Sequence, residues 1–223
     1  MRPGPDILYA CSSCNETFSA ISWLSGNTVV STLWSDGYLD APDMPSPNWF
    51  APCPRCKDPV WLEDCPNLGE DDRPELDLDN PIIRLGAAIL RPQYPCFSMH
   101  TVTIQDIDRG ILKATGNTAR QIGLRIYCMH RANHGKRVLS PERKPEPELC
   151  STEAREANLL ALAALLEEAK GPYILLGEVY RELGDFMMAT ISLFDLPPEE
   201  SWAGRQISAW AAAEDSTIHI LQT

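Results

Sequence analysis

Two Cys-x-x-Cys turns, Cys11-Ser-Ser-Cys14 and Cys53-Pro-Arg-Cys56, place four thiols in two pairs. Two intervening residues let both sulfurs of a turn point at one ion, at about 2.3 Å for zinc, and two such turns complete a closed tetrahedron. A short β-rich segment that cannot bury a core of its own is then organised around the ion. We therefore expect one structural Zn²⁺ per chain, held by Cys11, Cys14, Cys53 and Cys56. The 38 residues between Cys14 and Cys53 exceed the common spacing, which leaves redox chemistry and unrelated thiols as alternatives. A thioredoxin-type couple wants a strand before its motif and a helix after it. Here Cys53 follows a proline-rich loop, and Val60-Trp61-Leu62-Glu63-Asp64-Cys65 reads as a strand. Cys65 could stand in as a ligand, but is expected to be a buried or free thiol. Cys96, Cys128 and Cys150 are scattered, and packing is the expected role of each.

Eight cysteines in 223 residues are not disulfide-dense, and the opening Met-Arg-Pro-Gly-Pro-Asp lacks the apolar core of a signal peptide. No apolar run approaches the roughly 18 to 20 residues of a membrane span. The expected setting is cytoplasmic, with no membrane partner. The net charge of −12 argues against general nucleic-acid binding, which needs Lys and Arg to displace counterions. That charge is uneven: residues 101–150 are net positive and all other segments acidic. Either the segments neutralise one another within the fold, or Arg125, Arg131 and His134 form a basic surface for a partner.

The chain reads as α+β in three parts: 1–65 a small β zinc ribbon, 66–100 an acidic, proline-rich linker, and 101–223 an all-α helical domain. In the first part, Thr28 to Trp34 alternate as a strand does, and Asp36-Gly37 supplies the turn of a hairpin. A hairpin between two knuckles matches the zinc-ribbon plan. Trp34, Trp49 and Trp61 are expected to form the ribbon's small core. From about residue 101 the apolar spacing becomes helical, with Ile104, Ile107, Ile111 and Leu112, then Ile122, Ile126 and Met129. Ser151 is placed to cap a helix that Gly171 stops, and two further helices meet at Gly184-Asp185. A last one begins near Pro198, for about six in all.

The stretch from Gly171 to Glu200 resembles one tetratricopeptide-type helix pair in Tyr173, Leu176, Gly177 and Tyr180, the turn at Gly184 and Phe186, and the small Ala189 followed by Leu193. Pro197-Pro198 departs from the pattern, and no second copy is legible. The order of ribbon, acidic linker and helical bundle is also similar to a group of bacterial proteins of unknown function. The resemblance implies a repeat-derived bundle and says nothing of activity.

Catalytic signatures are absent from the sequence: no phosphate loop, no nucleophile elbow, no kinase set. His130 and His134 share a helix face, but Arg131 stands where a metalloprotease helix carries Glu, so the pair is read as extending a basic surface. The function expected is not enzymatic. The chain reads as an adaptor, accessory or neutralising protein whose partner is another protein. The alternatives are a Cys-x-x-Cys redox- or metal-responsive regulator, and nucleic-acid binding through the ribbon and basic helix.

Overall fold

The computed structural model describes residues 2–27, 29, 31–41, 44, 48–71, 95–98, 102–137, 150–194, 196–197 and 201–222. Short antiparallel strands precede six helices among these residues, an α+β architecture. The chain divides into two compact units, Met1–Asn27 with Asp43–Asp106, and Thr28–Pro42 with Ile107–Thr223.

In the first unit, β1 (Arg2–Pro3) pairs with β4 (Trp23–Ser25), and β2 (Ile7–Ala10) lies between β3 (Thr17–Ala20) and β9 (Asn67–Glu70). The β9 strand occupies sequence expected to begin the linker. Most of that linker, residues 72–94, lies outside the described residues. Pro95 to Phe97 then bond along β3, with the Ser19 N–H donating to the Pro95 carbonyl and the Phe97 N–H to the Ser19 carbonyl. A second hairpin joins β7 (Phe50–Pro52) to β8 (Pro59–Trp61). Pro52 and Pro59 oppose each other at its end, where a missing N–H breaks no interior rung. Phe18 stacks on Phe97 at 5.1 Å between ring centroids, and Phe50 packs on Trp61 at 5.3 Å. These four rings are the largest apolar side chains buried among the described residues of this unit.

The expected hairpin forms, as β5 (Thr32–Leu33) and β6 (Leu39–Asp40), with Gly37 at φ 78° in its turn. It does not belong to the ribbon. Thr28–Pro42 groups with the helices, and Trp34, expected in the ribbon core, is buried there. The Ser35 N–H donates to the His219 carbonyl, and the Leu221 N–H to the Leu33 carbonyl. Thr28 and Val30 of the expected strand lie outside the described residues.

The helices are α1 (Ile104–Lys113), α2 (Thr118–Asn133), α3 (Thr152–Ala169), α4 (Tyr173–Glu182), α5 (Phe186–Ser192) and α6 (Ser201–Ala212). Side-chain oxygens of Asn117, Ser151 and Asp185 cap α2, α3 and α5 by accepting backbone N–H groups the helix leaves unpaired. Lys170, rather than Gly171, takes the left-handed conformation that ends α3, at φ 54°. Leu159, Leu162 and Leu166 of α3 meet Met129 of α2 and Leu176 and Val179 of α4 in one core. A second core joins Leu193, Ala203, Ile207 and Leu221, with Leu33 of the hairpin packed against it. Each fully buried Leu or Ile is worth about 1.5–3 kcal/mol against exposure. Among the described residues no helix is long and apolar enough to cross a membrane.

Candidate metal centre

The two Cys-x-x-Cys turns sit at the tips of separate hairpins, one between β2 and β3, the other between β7 and β8. They are built alike. In the first, the Cys11 N–H donates to the Glu16 carbonyl and the Asn15 N–H to the Cys11 carbonyl. In the second, the Cys53 N–H donates to the Asp58 carbonyl and the Lys57 N–H to the Cys53 carbonyl. Asn15 and Lys57 both take the left-handed conformation, at φ 58° and 61°, which turns the chain into the second strand. The first cysteine of each pair is buried and the second exposed.

All four sulfurs lie within 4.8 Å of one another. The contacts between turns are Cys11 Sγ to Cys56 Sγ at 3.9 Å and Cys14 Sγ to Cys53 Sγ at 3.8 Å. Sulfurs on a tetrahedron with zinc–sulfur bonds of about 2.3 Å are about 3.8 Å apart. Disulfide sulfurs are far closer, at about 2.05 Å. The donor set fits one metal ion. Burial pushes the Cys53 thiol up to about 12 and raises Cys56, whereas a hydrogen bond from the Glu16 N–H lowers Cys14. Thiolates brought this close repel one another, at a cost that a cation removes. Cys65 is not one of the four. It is buried, its Sγ directed at the Trp61 carbonyl 3.5 Å away.

Two side-chain contacts cross between the turns, and sequence reasoning did not single them out. Arg55 Nη1 donates to Glu16 Oε2 at 2.8 Å, and Ser13 Oγ donates to Asp58 Oδ2. Arg55 and Ser13 each follow the first cysteine of their turn by two residues, and Glu16 and Asp58 follow it by five. The matched offsets were the available signal.

The helical unit holds a second polar cluster, and it is not a metal set. Asp36, at the hairpin turn, is fully buried and pairs with Arg137. The Asn133 amide donates to Asp36 Oδ2 at 3.0 Å and to both oxygens of Glu182 at 3.0 and 3.1 Å. Arg155 pairs with Glu182, and Arg181 with Glu178 at 2.6 Å. Burial pushes Glu182 up to about 7, aided by the nearby charge of Glu178 and opposed by Arg155. The groups are matched in charge and hydrogen-bonded, the condition under which buried ions persist.

The residues expected to bind a partner are all partly buried and lie in or just past α2. Arg125 donates to Asn158 of α3 at 3.3 Å, its Nε buried without a partner among the described residues. Arg131 lies over the ring of Tyr127, one turn back on its own helix. His134 is half-buried just past the end of α2. His130, expected beside them, faces the Asp36 carbonyl at 2.9 Å, and burial lowers its pKa. Set against known protein families, curated proteins and solved structures, the chain matches none.

Proposed function

We propose that this chain is a non-enzymatic, cytoplasmic protein-binding module stapled by one structural Zn²⁺ and acting as an adaptor, accessory or neutralising partner. Cys11, Cys14, Cys53 and Cys56 would hold the ion, and four thiolates fill its coordination, the arrangement of a structural site. The observation that carries the binding reading is an uncharged apolar stripe along α5 and the turn that follows it. Met187, Ile191 and Phe194 follow at helical spacing and are 70%, 59% and 83% exposed. Apolar residues grouped at the surface mark interaction sites where single ones do not. The stripe lies on the helix pair that resembles a tetratricopeptide repeat, a fold unit that binds other proteins through its helix faces. Arg125, Arg131 and His134 would contribute at the margin of the same unit.

The test substitutes Phe194→Asp and Ile191→Glu in the full chain and measures crosslinked capture of proteins from the native host. Capture by the wild type, lost in both variants at unchanged melting temperature, supports the reading. Capture unchanged in both variants overturns the stripe as the binding surface. A second reading, a metal- or redox-responsive regulator, is favoured by the exposure of Cys14 and Cys56. It predicts that mild oxidation releases the ion reversibly, and that the release changes what is captured.

A further inference from the structure

The two metal turns are joined by a reciprocal pair of contacts, and the residues that make them also shape the turns themselves. Glu16 accepts the Cys11 N–H on its carbonyl at 2.9 Å and holds Arg55 of the other turn with its carboxylate. Asp58 accepts the Cys53 N–H on its carbonyl at 2.8 Å and takes a hydrogen bond from Ser13 of the first turn with its carboxylate. One residue in each turn therefore fixes the backbone around its own buried cysteine and grips the opposite turn. The two contacts are reciprocal, each turn supplying one donor and one acceptor at the same offsets from its first cysteine.

We propose that Glu16 and Asp58 are positioning residues of the metal centre, forming a reciprocal clasp that holds the two dithiolate turns together and slows metal loss. This rests on the reading of the four cysteines as a metal site. Each turn supplies only two thiolates, so an ion leaves when the turns separate and one pair of sulfur bonds is broken. A contact that resists separation keeps the released thiolates within reach of the ion and favours rebinding. The Arg55–Glu16 pair is exposed, its side chains 69% and 38% accessible, and an isolated exposed pair contributes little to stability. Its effect here is on geometry, because it acts between the two halves of one coordination sphere. Groups that orient metal ligands typically change affinity by about 10–100-fold when removed.

The experiment loads the full chain with Co²⁺, reads the thiolate charge-transfer and d–d bands, and follows metal transfer to a chelator. Glu16→Ala combined with Asp58→Ala should keep the four-thiolate spectrum while losing metal at least about tenfold faster. Glu16→Arg alone should also accelerate loss, and adding Arg55→Glu should restore the wild-type rate, since the swapped pair rebuilds the contact. The restored rate is a result that mere loss of folding in the single variant would not produce. Normal bands with unchanged rates in the double alanine variant would overturn the clasp and leave the metal site standing. A wild-type chain without four-thiolate bands would overturn both.

Discussion

Gly177 of α4 faces Leu193, just past the end of α5, so closely that a Cβ on the glycine would come within 2.6 Å of Leu193 Cγ. The sequence pointed to Ala189 as the small residue that lets these helices approach. Ala189 is indeed fully buried, but the space at Gly177 is taken by Leu193. Gly177→Ala should overpack the contact and cost about 1–3 kcal/mol, read as a lower urea midpoint. Gly171→Ala is the control, since nothing lies within 4 Å of a Cβ there. It should be neutral or slightly stabilising, through a less flexible unfolded chain. Equal losses in both variants would show that the cost is not steric.

The metal centre should behave as one closed site. Cys53→Ser removes a buried ligand and should abolish stoichiometric zinc in elemental analysis of reduced protein. Amide exchange of β2, β3, β7 and β8 should then accelerate, because metal binding and folding are coupled in such sites. Cys65→Ser should leave one zinc per chain, since its sulfur faces the Trp61 carbonyl. Zinc retained in Cys53→Ser would mean that Cys65 or another donor can complete the site.

The part of this fold legible in the sequence is the part carried by local rules. Cysteine spacing singled out the four thiols that the fold brings together, helical periodicity located the helices, and Asp36-Gly37 located a turn. The destination of that turn was not legible, because Asp36 finds Arg137 across 101 positions of sequence. A turn aspartate ordinarily reads as solvated, and only the assembled helices supply the guanidinium and amide that bury it. The β9 strand was missed for a different reason. Its four residues are all exposed, so no alternation of apolar and polar residues marks it. Its N-terminal neighbour is Pro66, and acidic residues follow it, as in a linker.

Asp36 should matter to the helical unit as a core residue would. Asp36→Ala leaves the Arg137 guanidinium buried without its carboxylate, and breaking such a pair from one side typically costs 3–5 kcal/mol. The expected result is a large drop in helical stability by circular dichroism. Asp40→Ala, in β6 of the same hairpin and only partly buried, should change stability by less than about 0.5 kcal/mol. Comparable effects at the two positions would make the hairpin a generic surface element.

Glu182 gives the helical unit a pH dependence whose sign follows from its shift. Its carboxyl is pushed up to about 7 in the fold by burial and by Glu178, with Asp36 adding to the rise and Arg155 and Asn133 opposing it. A group raised on folding contributes stability that is fully present below its unfolded value and lost as pH rises through its folded value. The wild type should therefore lose most of this contribution between its unfolded value and about pH 7, and the last part, ~1 kcal/mol, on going from about pH 6.5 to pH 8. His130 acts in the opposite direction. Its pKa is lowered by burial, so its contribution is lost as pH falls through and below its ordinary value. The two terms partly cancel in the wild type, and a single melting profile would hide them. Glu182→Gln separates them, because glutamine keeps an oxygen for the Asn133 amide and cannot titrate. The stability difference between wild type and Glu182→Gln should shift by ~1 kcal/mol in favour of the variant between pH 6.5 and pH 8, whatever His130 contributes. A difference that does not vary over this interval would mean that Glu182 is ionised throughout, with Arg155 and Asn133 outweighing its burial.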